Sequence, residues 1–103
     1  MLDVNTSQSG EQKVIALIGE LDIGTVDKFK KSIDDAGEAV QGIILDLAEL
    51  SFVDSTGVGG LLNVVKTLKK NDLQVKIKNV SPDVYEVFDL LGLPMLLGQE
   101  IFE

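Results

Sequence analysis

The sequence predicts an α/β fold with a mixed, mostly parallel β-sheet, an opening β-hairpin and helices packed against the sheet. Two observations predict this class. Short apolar or alternating runs, which are typical of strands, alternate along the chain with segments of helical periodicity. Turn-forming residues separate these segments. After the hairpin, strands alternate with helices, which favours parallel neighbours joined by right-handed crossovers. With 103 residues, the chain is expected to form a single domain over positions 1–103.

The first third of the chain predicts the hairpin and one helix. Apolar and polar residues alternate over positions 2–6, which indicates an edge strand, and Ser9-Gly10 indicates a turn. The apolar run at 13–18 predicts a stronger second strand. A helix beginning near Thr25 is predicted by apolar residues at helical spacing: Val26, Phe29, Ile33 and Ala36. Gly37 and Gly42 bracket the loop that follows.

The middle of the chain predicts a central strand and a long helix. The run from Gly42 to Leu47 is too apolar for a half-exposed strand and indicates a central position in the sheet. A loop at Ser51 to Thr56 follows, with Asp54 or Ser55 as the N-cap of the next helix. That helix is predicted to end near Asn71, and its core face is formed by Val58, Leu61, Leu62, Val65 and Leu68.

The last third predicts a strand, a helix and a short final strand. Leu73, Val75 and Ile77 alternate with polar residues, which indicates a strand towards one edge. Ser81 as N-cap and Pro82 at the first helical position predict a helix start. Its predicted core face is Val84, Val87, Phe88 and Leu91. Gly92 and Pro94 are predicted to end the helix, and a last strand is predicted from residues 95–97 with 101–102.

Composition excludes several functions. The chain has no Cys and no His, so disulfides, thiol and imidazole catalysis, and Cys/His zinc sites lack their residues. A Ser-Lys hydrolase that uses Lys66 or Lys69 is the remaining hydrolytic possibility. The net charge of −8 disfavours nucleic acid as a partner. No apolar run is long enough for a membrane span and no signal peptide is present, so we expect a cytoplasmic protein without membrane contact.

The best candidate site is the pair of loops after two parallel strands, at Gly19–Gly24 and Ser51–Thr56, because sites in such sheets lie beyond the carboxyl ends of strands. A capped helix by itself also explains the polar residues at 54–56. Three glycines, Gly57, Gly59 and Gly60, each cost about 1 kcal/mol relative to Ala in a helix. They indicate close approach, either by the sheet or by a partner surface.

Motifs in three parts of the chain carry a resemblance to a known family. They are Gly19-Glu20-Leu21-Asp22, the run from Leu45 to Phe52 leading to Asp54-Ser55-Thr56-Gly57, and Ser81-Pro82 followed by Phe88 to Leu93. In this order and spacing, the chain resembles the anti-sigma factor antagonist (anti-anti-sigma) family of the STAS domain superfamily. The resemblance covers nearly the whole chain and implies a STAS-like fold.

The resemblance implies a phosphorylation-controlled binding switch rather than an enzyme. An unphosphorylated member binds an anti-sigma factor that is also a serine kinase, and so frees the sigma factor; a serine phosphatase of the metal-dependent type restores this form. Carried over, the phosphate acceptor is Ser55. The acceptor loop and partner surface comprise Asp22, Asp54, Thr56, Gly57 and Val58. The chain itself needs no cofactor or metal and is expected to be monomeric when free.

Two points remain open on sequence alone. Asp22 either faces the Ser55 loop and helps to position a partner, or caps the helix at Thr25. The N–H groups of Gly57 and Val58 are expected to be unpaired and able to receive a phosphate. The alternative function is a STAS-type regulatory domain that senses a nucleotide or other small ligand, or a subunit of a stress-signalling assembly.

Overall fold

The computed structural model describes residues 1–36 and 41–103. Four strands are present in this part: β1 (Leu2–Ser9), β2 (Gln12–Leu21), β3 (Gly42–Val53) and β4 (Gln74–Lys78). The helices are α1 (Val26–Ala36), α2 (Ser55–Lys70), α3 (Pro82–Leu90) and α4 (Leu93–Leu97), followed by a 3₁₀ turn at Gln99–Ile101. The side chain of Ala36 and the predicted loop position Gly37 lie outside the described residues.

The sheet has the order β1-β2-β3-β4. β1 and β2 form an antiparallel hairpin, whereas β2 with β3 and β3 with β4 are parallel. Buried positions alternate with half-exposed ones: Ile15 and Leu17 of β2 are buried, and Val14 and Ala16 between and beside them are half-exposed. The core therefore lies against one face of the sheet, and the predicted fold class is confirmed.

The core joins that face to side chains from the three longer helices. Phe29 of α1, Leu61 and Val65 of α2, and Phe88 of α3 are fully buried. α2 also buries Val58, Val64 and Leu68, which repeat at helical spacing. Leu62, predicted for this face, is half-buried and packs at its margin. The buried stripe of α2 fixes how its first turn is presented beyond the end of β3.

The two predicted site loops are shorter than expected, because β2 continues to Leu21 and β3 to Val53. Register shifts between the strands lie between the Ala16 and Ile18 pairings and between the Gly19 and Glu20 pairings. A β-bulge inserts an extra residue and breaks the two-residue alternation that identifies a strand. Leu50 and Val53 stay buried across these shifts, while Ser51 and Phe52 between them are exposed. The expectation that Ser51 to Thr56 is a loop was therefore wrong for every residue except Asp54, because Ser55 and Thr56 already belong to α2. The expectation of a loop at Gly19 to Gly24 was wrong for its first three residues, which belong to β2.

The predicted final strand was also wrong. Residues 93–97 form helix α4, and the only strand-like pairing there in the described region is a single parallel bridge between Ile77 and Phe102. Gly92 adopts φ 79°, a left-handed conformation that costs glycine little, and ends α3. Pro94 then stands in the first turn of α4, where no backbone donor is needed, so it starts a helix instead of preventing one.

The start of α3 follows the prediction, but its core face is narrower. The Val84 N–H donates to Ser81 Oγ at 3.3 Å, so Ser81 is the N-cap, and Pro82 opens the helix. Val84 and Phe88 are buried and Val87 is half-buried. Leu91 was predicted for the core and is 45% exposed, because α3 has ended before it and the chain turns at Gly92.

Candidate functional site

The candidate site lies where β2 and β3 end side by side. Leu21 pairs with Val53 in the last register position of the two parallel strands. Asp22 and Asp54 are the next residues of each chain segment, and both are half-buried. The Asp54 N–H donates to the Leu21 carbonyl at 3.3 Å. The parallel pairing therefore brings together two loops that are about thirty residues apart in sequence.

Asp54 connects these two loops through both oxygens of its carboxylate. Oδ1 accepts a hydrogen bond from the Gly57 N–H at 2.7 Å, and Oδ2 accepts one from the Ile23 N–H at 3.1 Å. The first bond makes Asp54 the N-cap of α2, which decides between the two predicted candidates. The second fixes the loop after β2 against the start of α2. Asp54 thus holds the acceptor loop in shape.

Asp22 makes its contacts within its own loop. Its Oδ1 accepts from the Gly24 N–H at 2.9 Å and from Thr25 Oγ1 at 3.2 Å, and its carbonyl accepts from the Val26 N–H at 2.9 Å. These bonds organise the turn before α1, which begins at Val26, and the carboxylate accepts no N–H of that helix among the described residues. A role of Asp22 in positioning a partner stays a prediction.

Ser55 and Thr56 are the first two residues of α2, and both are exposed. Among the described residues, neither hydroxyl has a hydrogen-bond partner in the protein. A side chain that had only a capping role would be expected to bond backbone N–H groups of the first turn. Since Asp54 performs that role, the Ser55 hydroxyl is available to another molecule.

The expectation about the N–H groups was wrong. Gly57 donates to the Asp54 carboxylate and Val58 donates to the Asp54 carbonyl at 2.9 Å, so neither group is unpaired. In the first turn of α2, the N–H groups without a partner among the described residues are instead those of Ser55 and Thr56. The physical reason is the cap: an N-cap carboxylate satisfies the second or third donor of the helix and leaves the earliest ones exposed.

The three glycines in the first turns of α2 lie in different surroundings. A Cβ on Gly57 would overlap the Leu21 carbonyl oxygen, so this glycine lets α2 start directly against the end of β2. A Cβ on Gly60 would overlap the Val26 side chain of α1. Nothing lies within 4 Å of the corresponding position on Gly59, which is exposed. Close approach within the fold explains Gly57 and Gly60, and only Gly59 leaves an open surface that another molecule could approach.

Two apolar side chains beside the site were missed by the sequence-based site prediction. Ile23 is 75% exposed, and Phe52 is 49% exposed. Ile23 is an apolar residue within a polar loop, which was the available signal. Phe52 pairs with Glu20 and faces away from the core because its neighbour Val53 faces inwards. The β3 bulges decide this orientation, and they could not be read from the sequence.

A groove lies elsewhere, between α1 and α2, with a volume of about 570 Å³. Its floor contains Ile33, Val64 and Leu68, and its rim carries Lys30 and Thr67. Thr67 is twelve residues beyond Ser55, which places it about 18 Å further along the axis of α2 at 1.5 Å per residue. The groove and the Ser55 site are therefore separate features at opposite ends of one helix.

Metal-binding clusters and membrane-spanning helices are absent from the described residues. No group of three or more acidic, Cys or His residues is arranged to hold a metal ion in residues 1–36 and 41–103. No helix in the same ranges is long and apolar enough to cross a membrane.

Comparison with known proteins identifies the class. Residues 3–103 match the STAS domain family. Over 97 residues the chain is 30% identical to an anti-sigma-B factor antagonist of Staphylococcus epidermidis, which covers 93% of this chain and 90% of that protein. The fold and the comparisons define a STAS domain, and the chain belongs to the anti-sigma factor antagonist family within that superfamily. The resemblance found in the sequence motifs is confirmed.

Two solved structures support the same assignment. The chain superposes on the anti-sigma factor antagonist SpoIIAA in its unphosphorylated form with a TM-score of 0.77 and 32% identity, covering 98% of this chain and 86% of that one. The match to the Bacillus cell fate determinant SpoIIAA in its phosphorylated form has a TM-score of 0.72 and 31% identity, covering 98% and 89%. Members of this family are regulatory binding proteins, so the chain is a binding protein and not an enzyme.

Proposed function

We propose that this protein is a phosphorylation-controlled switch with Ser55 as the phosphate acceptor. In the unphosphorylated form it binds an anti-sigma factor that is also a serine kinase, and the sigma factor is released. The main support is the exposed Ser55 hydroxyl, which has no internal partner and stands at the start of a helix whose cap is supplied by Asp54. The relatives support the partner class through their names as anti-sigma factor antagonists.

In the chemical step, the Ser55 oxygen takes the γ-phosphoryl group of ATP, ADP leaves, and the hydroxyl proton passes to the kinase. The Asp54 carboxylate caps α2 and ties down Ile23, and the base for this proton is assigned to the kinase. Nucleotide and metal also belong to the kinase, and this chain contributes only the acceptor. A serine phosphatase of the metal-dependent type removes the phosphate and restores the binding form. The relative SpoIIAA is known in both an unphosphorylated and a phosphorylated form.

The phosphate acts on the interface rather than on the fold. It adds about −1.5 to −2 charges and three acceptor oxygens. The unpaired N–H groups of Ser55 and Thr56 lie next to these oxygens at the positive end of the helix dipole, so the modified residue is tolerated locally. Towards a partner, the added charge and bulk next to Asp54 oppose contact. A change from almost fully bound to almost fully free requires about 5.5 kcal/mol of differential affinity.

The proposed partner surface combines the acceptor loop with the apolar side chains beside it. The exposed Ile23 and Phe52 provide apolar area on either side of Asp54, and Gly59 leaves the helix surface open one turn after Ser55. Thr56 belongs to this surface, whereas Gly57 and Val58 are buried and support it from behind. In this role the protein acts in the cytoplasm, where sigma factors act, and is monomeric when free.

The test uses the anti-sigma factor kinase encoded in the same genome. Phosphate is mapped by mass spectrometry after incubation with kinase and ATP, and binding is measured by calorimetry for the wild type, Ser55→Ala, Ser55→Asp and the matched variant Thr56→Ala. We expect phosphate on Ser55 only, undiminished labelling of Thr56→Ala, and binding weakened at least about 100-fold by Ser55 phosphate. Phosphate on another residue, or tight binding by the phosphorylated protein, would reject the switch.

The groove between α1 and α2 favours one other function, a small-ligand sensor or a subunit of a stress-signalling assembly that uses such a site. Its apolar floor and polar rim are the usual composition of a ligand pocket. A nucleotide or other small molecule that copurifies with the protein, together with regulation unaffected by Ser55→Ala, would favour this function. Loss of regulation in Ser55→Ala would favour the switch.

A further inference from the structure

A second exposed apolar surface lies far from Ser55 in sequence, at the turn between α3 and α4. Its members are Leu90, 77% exposed, Leu91, 45%, Met95, 86%, and Leu96, 57%. We call these four residues the α3–α4 corner. They are four of the seven large apolar side chains that are exposed in the described part of the chain. Soluble monomers rarely expose large contiguous apolar patches unless the patch binds something.

The fold itself does not use these four side chains. α3 is anchored by Val84 and Phe88, and α4 by Leu93 and Leu97, all of which are buried. Leu90 ends α3 and Met95 lies in the middle of α4, and the two short helices pack against each other. α3 therefore ends in an exposed leucine, and α4 exposes Met95 and Leu96 beside its buried residues. Polar residues at the four corner positions would leave the packing of the core unchanged.

The segment that carries the corner is acidic and contributes no Lys or Arg; the cation that reaches it is Lys76 of β4, whose Nζ donates to the Glu100 carbonyl at 3.0 Å. From Pro82 to Ile101 the sequence has four acidic residues, Asp83, Glu86, Asp89 and Glu100, and no Lys or Arg. All four are exposed, and none of their carboxylates forms an ion pair within residues 1–36 and 41–103. In α1, by contrast, exposed lysines accompany the acidic residues. This unneutralised rim determines the charge that a binding surface must carry.

We propose that the α3–α4 corner is a second docking surface, for a partner protein segment that presents apolar side chains flanked by Lys or Arg. The apolar residues of the segment cover Leu90, Leu91, Met95 and Leu96, and its cations face Glu86 and Asp89. This arrangement of an apolar centre with a charged rim is typical of protein interfaces. The surface operates independently of Ser55, so it can hold a partner in either phosphorylation state.

Charge distinguishes this occupant from the other classes. A second copy of the chain would bring two acidic rims together, and each copy carries a net charge of −8. Anionic lipid surfaces and nucleic acid phosphates would be repelled by the same carboxylates. A basic, apolar protein segment gains both apolar burial and charge complementarity.

The test uses a synthetic amphipathic peptide of about 18 residues, long enough to form a helix, with a leucine face flanked by lysines. A twin peptide has glutamate at every lysine position. The full chain is titrated with each peptide, and binding is mapped by amide chemical shifts. We expect the lysine peptide to shift residues 86–97, to bind more weakly as salt is raised, and to bind Ser55→Asp as well as the wild type. The glutamate twin should not bind.

Matched variants make the result specific. Leu90→Ser with Met95→Ser should weaken the lysine peptide about tenfold or more, whereas Ile23→Ser, at another exposed apolar position, should not. Glu86→Gln with Asp89→Asn should weaken it about threefold, and Asp34→Asn with Asp35→Asn, the same charge change on α1, should not. Equal binding of both peptides, shifts centred on another surface, or self-association through the corner in sedimentation would each overturn the proposal.

Discussion

At the scale of single residues, Asp54 gives the site its shape. The sequence predicted a cap at Asp54 or Ser55, because both residue types are favoured there. It could not predict the second hydrogen bond, from Ile23, since that bond depends on the register that brings Leu21 beside Val53. Because Asp54 is the cap, the unpaired N–H donors are those of Ser55 and Thr56, and not those of Gly57 and Val58 as the sequence predicted. The preferences of residue types for helix starts thus predicted the residues of the site. The pairing of β2 with β3 determined which of their atoms lack a hydrogen-bond partner among the described residues.

Replacing Asp54 by Ala should destabilise the protein by about 1–2 kcal/mol, because the N-cap bond to Gly57 and the bond to Ile23 are both lost. The measurement is the urea midpoint at pH 7. Ser81→Ala, which removes the longer cap bond of α3, serves as the matched control and should cost less. The amide shift of Ile23 should change in Asp54→Ala and not in Ser81→Ala. An unchanged urea midpoint in Asp54→Ala would show that the carboxylate does not hold the loops.

Two glycines of one helix turn should respond to Ala in opposite directions. Gly57→Ala places a methyl group against the Leu21 carbonyl and should destabilise the protein by about 1–3 kcal/mol. Gly59→Ala enters open space and should stabilise it by up to about 1 kcal/mol through helix propensity. Urea unfolding of the two variants and the wild type measures the sign of each change in the free energy of unfolding. The same sign for both would contradict the packing described for this turn.

At the scale of elements, the sequence predicted every element that has a regular apolar period. The hairpin, α1, α2, β4 and the start of α3 lie close to where periodicity and capping residues predicted them. The predictions of secondary structure were wrong where a bulge or a helix restart interrupts the regular spacing of apolar residues. β3 is longer than predicted because its bulges interrupt the alternation, and residues 95–97 are helical because Gly92 and Pro94 restart a helix. The orientation of Phe52 was missed for the first reason and the exposure of Leu91 for the second.

The segment after α4 should contribute stability through Phe102, although it is not a strand. Phe102 forms the bridge to Ile77, and its ring meets Tyr85 edge-on at 5.5 Å and Phe88 at 6.1 Å. Phe102→Ala should therefore cost about 2 kcal/mol, less than a fully buried Phe, because this ring is half-buried. Phe102→Leu keeps apolar contact and should lose about half as much. Urea unfolding tests both, and a midpoint equal to wild type in Phe102→Ala would mean that this segment does not hold the edge of β4.

At the scale of the whole molecule, composition and motif order predicted the class of protein more completely than its surfaces. The missing His and Cys removed most catalytic chemistries, and motifs spread from Gly19 to Leu93 identified the family. The exposure of the α3–α4 corner was not predicted, because an apolar residue whose spacing fits a regular element is indistinguishable from a core residue until packing is known. Leu91 illustrates this: its spacing fits the core, and the turn at Gly92 places it in solvent.

The free energy of unfolding should not change with pH near neutrality, and it should decrease slightly at lower and at higher pH. Hydrogen bonding and charge from Lys78, and then from Lys76, lower the pKa of Glu103, so its contribution is present above its ordinary value of about 4.3 and lost as pH falls. A hydrogen bond to Glu20 raises the pKa of the Met1 amino group, so its contribution is present below about 8 and lost as pH rises through the raised value. No His titrates between these limits.

Urea midpoints should therefore stay constant between about pH 5 and 8. Both groups are exposed, so each loss beyond that window should be small. Glu103→Gln should reduce the acid-side decline and leave the alkaline side unchanged, and acetylation of the Met1 amino group should do the reverse. The two changes thus serve as controls for each other. A midpoint that rises or falls steadily across the window would require a titrating group other than these two, and the charge distribution described for the molecule would then be wrong.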